Sequence, residues 1–456
     1  METTVRETKS FCPACFKSLE ARIVEDGGKI YLRKKCPEHG EFQVMISEHP
    51  EYYLPLDRFY FSLMEKSYSQ TDFIIRLTGR CNMTCPMCLA SANEDIKEPD
   101  MTLEQFRELA KDKRIKKFDL MGCEPTLHKD LFEIVKEAKK HGIVALHTNG
   151  LKLEDEEFVR KLKEAGVDDV HLQFDTFDDE DSQRIRGQKH VSRKLKIVEN
   201  LEKAGLSYDL KATVLKGVND DQLGKILDFG VGKTYAKEIF FLGCRYLGSS
   251  RENENKEDIY LMPDEIIDMV EKQTGGKLNR QNIFYFQKIY FFMLRFLNVR
   301  KCSYINHYLI RRNQDGTYTP IDQLMDIKKM SEYIDEFVEK KKKFNFVNLV
   351  ALYSRFLPLM LNKNAFSLIF DLGLMKIMFY LGFTMSKVPK KFILVGFITA
   401  CDPYTFDASI AKNCGKGEIC FDLSNQKDRP AWFPAGAVAN VTRDKVKYYE
   451  SIGGHK

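Results

Sequence analysis

The sequence predicts an α/β protein whose centre is a parallel sheet, open or closed into a partial barrel, with a small metal-held ribbon before it and a mainly helical region after it. Three observations lead there. From Phe73 to about Gly248 short apolar runs alternate with charged amphipathic stretches, the pattern of parallel strands and their crossover helices. The first fifty residues carry two pairs of metal-ligating side chains around a Gly27-Gly28 turn. Beyond Gly248 the chain turns aromatic and basic, then strongly apolar. At 456 residues it is longer than one ordinary core supports, and the expected units are 1–60, 70–250 and 251–456.

Composition narrows the class. Hydrophobic residues at 43% and charged ones at 30% describe a globular chain, and 71 basic against 66 acidic residues leave a net +5 that gives no case for a nucleic-acid partner. The opening "METTVRETKS" lacks the apolar stretch of a secretory signal, so a cytoplasmic chain with reduced thiols is expected. Its 12 cysteines cluster tightly at the front, which suits metal binding better than disulfides.

In the first unit, Cys12 and Cys15 lie in "CPAC", and Cys36 and His39 in "CPEHGEF". The segment between them reads as two strands around the Gly27-Gly28 turn. Cys3His at this spacing is a zinc ribbon or a rubredoxin-like iron site, and a unit with so little apolar content folds on its metal.

In the second unit the strands are "FIIRL" at Phe73–Leu77, "KFDLMG" near Phe118, "IVALHTNG", "DVHLQFDT", "YDLKATVLKG" and "EIFFLG". Between them lie helices such as "TLEQFRELAKDKR", which opens on a Thr102/Gln105 capping box. Ligands of such sheets sit at the carboxyl ends of the strands.

In the third unit "NIFYFQKIYFFMLRFLNVR" and the run from Phe337 to Ala400 read as buried or interfacial helices. Arg355, Lys363, Asp371 and Lys376 break every stretch of the ~18 uncharged residues that a span requires. Core helices and a lipid-facing surface both stand open, and Lys340–Lys343 beside them suit either a solvated face or anionic head groups.

The chemistry centres on "CNMTCPMC", directly after the first strand. Cys81, Cys85 and Cys88 in C-x3-C-x2-C supply three of the four thiolates that a four-iron cluster wants, leaving one iron open to a ligand. The motif and its placement resemble the radical S-adenosylmethionine (SAM) superfamily. That resemblance implies a partial (β/α)6 barrel and a 4Fe–4S cluster on those three cysteines. It also implies SAM on the open iron, cleaved to a 5′-deoxyadenosyl radical that takes hydrogen from unactivated carbon. Further stretches match the family at later strand ends. "GCEPT" resembles its GGEP segment, with Gly122, Cys123 in place of the second glycine, and Glu124 expected at the SAM amino group. Thr148 and Asn149 in "HTNG", Gln173 and Asp175 in "QFDT", and Leu215 in "VLKGVND" are expected along the methionine and ribose. "FLGCRYLG" is expected near adenine. No catalytic side chain is singled out.

The ribbon together with "RIRG" at Arg184–Gly187, "DGTYTPI" and "DPYTFD" resembles the branch that includes the archaeal tetraether synthase, which joins lipid tails. That branch holds auxiliary iron–sulfur clusters in its C-terminal half. Here Cys302, Cys401, Cys414 and Cys420 are enough for one auxiliary 4Fe–4S cluster, with Cys123 and Cys244 spare; the same four also read as buried thiols. His307 near Cys302 reads as a further ligand or a core residue.

The function expected on this resemblance is coupling of lipid tails by a carbon–carbon bond at a membrane surface, with a reductant such as flavodoxin or ferredoxin. The alternative is a radical SAM C-methylase or other modifier of a soluble cofactor or peptide. A phosphate-binding P-loop and the local signature of a Ser-His-Asp hydrolase are both lacking.

Overall fold

The computed structural model describes residues 2–63, 72–89, 92, 100–246, 249–250, 259–296, 303–340, 344–360, 390–399, 401–411, 416–421 and 430–434. The ribbon is a four-stranded antiparallel sheet in the order β1 (Thr3–Phe11), β2 (Ser18–Asp26), β3 (Lys29–Cys36), β4 (Gly40–Ser47). Gly27 and Gly28 join β2 to β3 at φ of +58° and +74°, the left-handed pair that a two-residue hairpin needs. The expected hairpin is therefore present, and an outer strand flanks it on each side.

Helix α1 (Pro50–Leu63) leads to the main sheet, which has eleven strands. Six of them run parallel and side by side in chain order: β5 (Asp72–Arg76), β6 (Lys117–Met121), β7 (Ile143–Thr148), β8 (Asp169–Gln173), β9 (Ser207–Val214) and β10 (Ala236–Gly243). Each of the six coincides with one of the apolar runs.

The crossover helices are α2 (Leu103–Ala110), α3 (Leu131–His141), α4 (Glu156–Ala165), α5 (Asp179–Arg186), α6 (Val191–Ala204) and α7 (Leu223–Val231). Helix α2 starts on the expected box: Gln105 N–H donates to Thr102 Oγ1 at 3.2 Å, and the Gln105 side chain accepts from Thr102 N–H at 2.8 Å. The outward strand residues, such as Phe118, Leu120, Leu146, Val170, Leu172, Leu210 and Phe241, join α-helical Phe106, Val135, Leu162 and Leu201 in one apolar core.

The region after Gly248 supplies helices, α8 (Pro263–Gln273), α9 (Arg280–Phe296), α10 (Ile327–Glu339) and α11 (Phe346–Met360), and also five strands. One of these, at Phe392–Thr399, takes the place of the helix expected over the end of the run to Ala400, because it pairs with the sheet on both sides. β11 (Ile305–Arg312), β12 (Tyr318–Pro320) and β13 (Phe392–Thr399) extend the sheet beyond β10. β14 (Lys416–Phe421) and β15 (Pro430–Pro434) extend it beyond β5. The aromatic run of α9 is a core helix: Phe286, Ile289, Tyr290, Phe291, Phe292 and Leu294 are buried, against α1 and α10. Large apolar side chains stand exposed at Phe296, Val347 and Val350. Among the described residues, no helix is long and apolar enough to cross a membrane. Residues 361–389 of the long apolar run, and Lys341–Lys343, lie outside the described residues.

"DPYTFD" joins sheet to ribbon. Asp402 is fully buried and takes Arg245, at the end of β10, at 2.7 Å. Its other oxygen accepts the Tyr404 and Thr405 N–H groups. Lys34 of the ribbon donates to Pro403 O and Tyr404 O, and Asp407 receives Arg6 and Thr8. Replacing Asp402 by Ala leaves a buried guanidinium without its carboxylate. The expected loss is about 3–5 kcal/mol of stability, read as a lower urea midpoint, with Asp402→Asn losing less.

Candidate active site

The loop after β5 carries Cys81, Cys85 and Cys88 at the carboxyl edge of the sheet. Its neighbours clamp it from two sides. The pairing of β5 with β6 continues past both strands, as Leu77, Cys123 and Glu124 N–H donate to Met121, Thr78 and Arg80 carbonyls at 2.8, 3.0 and 2.9 Å. So close an approach admits only glycine at 122, where a Cβ would lie 2.6 Å from Thr78 O. On the other side Gly187, at φ +78°, presses on the same loop, and a Cβ there would lie 2.7 Å from Thr84 O. Ser249 N–H donates to Cys88 O at 2.9 Å.

All three thiols are half-buried. Burial pushes Cys81 up to about 12 and raises Cys85 in spite of Arg186 beside it. Met83 N–H and Asn149 Nδ2 lie 3.4 and 3.8 Å from Cys81 Sγ. Thiols gathered on one clamped loop ionise once metal binds them. As a donor set they fit an iron–sulfur cluster.

The expected SAM-facing residues gather around that loop. Glu124 is fully buried, and both its oxygens are engaged: Oε1 by Thr126 N–H, Thr126 Oγ1 and Thr148 Oγ1, Oε2 by Asn149 N–H at 2.7 Å. Burial raises its pKa against those four donors. The carboxylate thus ties the end of β6 to the end of β7, and what it presents to a ligand is the placement of the surrounding backbone. Asp175 is likewise turned inward. It receives Arg186 through two bonds of 2.8 Å, Thr213 N–H at 2.8 Å and the Gln173 amide. Burial alone would raise the Asp175 pKa; the Arg186 guanidinium outweighs it and holds the carboxyl below its usual range. Leu215 is buried, its N–H on Asn219 Oδ1 at 2.9 Å, and Cys123 is half-buried.

Two cations here went unread in the sequence. Arg186 belongs to "RIRG" and links Asp175 to the Cys85 thiol. Lys194 is buried, donates to Asn149 O and Gln173 O, and is pushed down to about 7 by burial. A lone lysine on a helical face carries no local signal, so only the fold reveals it.

The larger omission is the lining of the barrel. Alternate residues of the parallel strands point to opposite faces. The face opposite the helices reads Lys117, Asp119 on β6; His147 on β7; Asp169, His171, Gln173 on β8; Asp209, Lys211 on β9; Glu238, Phe240 on β10. His171 on β8 lies 3.8 Å from Asp119 on β6, across the intervening β7, so this face is concave. Lys117 meets Asp119 at 3.1 Å, and Lys211 lies 3.6 Å from Asp209 and 3.9 Å from Glu238. Burial and the neighbouring Asp209 push Glu238 up to about 7, and burial holds His171 neutral, down to about 3. The period-two spacing D-x-H-x-Q-x-D at 169–175 was the available signal, hidden inside runs that read simply as apolar.

The ribbon site converges as expected: one ligand atom from each of Cys12, Cys15, Cys36 and His39 lies within 4.8 Å of the others. Such a thiolate and imidazole set fits one tetrahedral ion. Of the four cysteines expected at an auxiliary cluster, Cys401 is half-buried against the apolar side chains of the 402–411 segment. Cys302 and Cys414 lie outside the described residues, and Cys420 is in β14, of which only the backbone is described. Cys244 is buried, which pushes its pKa up to about 11, and sits 4.0 Å from Met87 Sδ. His307 packs against Tyr290 in the core, the rings tilted at 37° with 4.4 Å between their centres.

Residues 75–230 match the family described as Radical SAM superfamily, and residues 4–48 match the HMPTM N-terminal zinc ribbon domain. A 7,8-dihydro-6-hydroxymethylpterin dimethyltransferase of Methanocaldococcus jannaschii is 30% identical over 393 residues, which are 77% of this chain and 78% of that one. The chain belongs to the radical SAM superfamily. As a radical SAM protein with a zinc ribbon it takes a 4Fe–4S cluster, SAM and a ribbon metal as its cofactors. A probable GTP 3′,8-cyclase of Pyrococcus horikoshii is 34% identical over 163 residues, 35% of this chain and about half (52%) of that protein. Streptococcus suis SuiB, a structure bound to S-adenosylmethionine, superposes with a TM-score of 0.38 at 17% identity, over 50% of this chain and 55% of that one. The relative that spans most of this radical SAM chain bears the name of a pterin methyltransferase, so the lipid-coupling branch read from the sequence lacks support in this comparison.

Gly187→Ala should strain a left-handed residue by about 1–3 kcal/mol and push the cysteine loop, at Thr84, off its seat. The expected readout is a lower iron content after anaerobic reconstitution, with the ribbon metal unchanged.

Proposed function

We propose that this protein is a radical SAM enzyme that modifies carbon on a polar, soluble substrate, by C-methylation of a heterocycle related to reduced pterins. In this reading Cys81, Cys85 and Cys88 hold the cluster, and Gly122, Cys123, Glu124, Thr148, Asn149, Gln173, Asp175 and Leu215 border SAM. Bound there, the cluster and one SAM would supply a carbon radical that removes hydrogen from the substrate, and a second SAM would supply the methyl group, its sulfonium taking one further electron from the reductant and leaving as S-adenosylhomocysteine.

The observation that carries the substrate class is the lining of the barrel beneath the cysteine loop. Lys211, Gln173 and Glu238 line it with ionic and amide groups that a molecule carrying complementary donors and acceptors can meet. A hydrocarbon tail placed against them would strip their remaining water without offering a donor or acceptor in its place, a desolvation cost that a polar substrate avoids. The name of the relative that covers most of the chain agrees with this choice. Tail coupling would draw on the apolar C-terminal half, where the most aromatic helix is already packed into the core.

The residues divide the work. Arg186 and Asp175 fix the side of the cysteine loop that faces the barrel, and Lys194 pins the ends of β7 and β8 through two carbonyls. Lys211, with its ammonium 4.3 Å from the Phe240 ring centre, is placed to bind a substrate carbonyl or anion over an aromatic floor. Electrons come from a reductant such as a flavodoxin or ferredoxin.

Anaerobic reconstitution with iron and sulfide, followed by SAM and dithionite, should yield 5′-deoxyadenosine. Addition of a reduced pterin should give a product heavier by methyl groups, whereas phospholipid should give none that is two hydrogens lighter per joined pair. The opposite pattern would return the reading to tail coupling. Lys211→Met should lower kcat/KM for the polar substrate about tenfold or more, the loss of one hydrogen bond to a charged group.

A further inference from the structure

We propose that Asp119, His147 and His171 form a second metal site, distinct from cluster and ribbon, that holds one divalent transition-metal ion inside the barrel. Carboxylate and imidazole atoms from three neighbouring strands lie within 4.8 Å of one another. Asp119 Oδ1 is 3.6 Å from His147 Nε2 and 3.8 Å from His171 Nε2. Bonds of about 2.0–2.2 Å to a tetrahedral ion would put donors roughly 3.3–3.6 Å apart, so the two carboxylate–imidazole distances are within a few tenths of an ångström of what an ion needs.

The orientation of His171 points the same way. Its Nδ1 is bonded to Asp209 on β9, the arrangement in which a carboxylate fixes the ring and leaves Nε2 for metal. His171 is 7% exposed, and its Nε2 has no hydrogen-bond partner. With the Nδ1 proton given to Asp209, Nε2 presents a lone pair to a carboxylate oxygen. In that tautomer a metal ion between them would satisfy the imidazole lone pair and the carboxylate oxygen together.

Two nitrogens and one carboxylate oxygen suit zinc, cobalt or ferrous ion, and do not suit calcium or magnesium, which want oxygen ligands. Lys117, 3.1 Å from Asp119 Oδ1, competes for the same oxygen, so binding should be weaker than at the ribbon thiolates. Three protein ligands leave a fourth position open toward the interior. The inference does not rest on the substrate reading above and stands or falls by metal content alone.

The test uses the full-length chain with Cys81, Cys85 and Cys88 replaced by Ala, which removes cluster iron, loaded with Zn2+ and desalted without oxygen. Two zinc ions per chain are expected. Asp119→Asn with His147→Gln should hold one, and Cys12→Ser with Cys36→Ser should also hold one. Loaded with Co2+, the ribbon variant should show ligand-field bands without thiolate charge transfer, a readout made with the barrel residues intact. A single zinc in the cluster-free parent, or a ribbon variant that takes up no cobalt, would overturn the proposal and leave an ordinary buried polar network.

Discussion

The curved parallel sheet from β5 to β10 carries an apolar layer on one of its faces only. The outward residues of β6 to β10 pack under helices as hydrocarbon, while most of the inward ones are charged or polar. Charges taken out of water must find partners within the barrel, because desolvation otherwise costs several kcal/mol per ion. Lys117 with Asp119, His171 with Asp209 and Lys211 with Glu238 are those partners. The last two of these pairs join neighbouring strands and so depend on their register, which ties the parallel order of the sheet to the polarity of its interior.

The same principle governs the carboxyl edge. Glu124 and Asp175 look from the sequence like groups waiting for a ligand, but each is spent on the protein. Glu124 closes the gap between two strand ends, and Asp175 anchors Arg186 beside the cysteine loop. Fixed backbone, more than free side chains, is what this edge offers to a cofactor. Gly122 and Gly187 belong to that design, since each lets one chain segment touch the loop where a methyl group would hold it away.

Much of this was legible in advance. The six apolar runs from Phe73 to Gly243 became the six consecutive parallel strands, and C-x3-C-x2-C and the ribbon spacing named their own chemistry. What escaped was whatever depends on which residues share a face. Asp119, His147, His171 and Asp209 sit on four different strands, and only register brings them together. The strands after Gly248 escaped for a different reason. "INHYLIRR" and "FILVGFIT" join a sheet already built, so their pairing partners lie far away in sequence and leave no local pattern.

The seat of the ribbon on the 402–407 loop has a consequence for how the chain is made. Thr8 and Arg6 meet Asp407, and Lys34 meets Pro403 and Tyr404, across about four hundred residues. The ribbon can fold on its metal as soon as its fifty residues have left the ribosome, yet the surface it rests on does not exist until nearly all of the rest has been synthesised. The contacts that seat it therefore form only after residues 402–407 exist, which makes the docking of the ribbon onto Asp407 and the Arg245–Asp402 pair a late event of assembly.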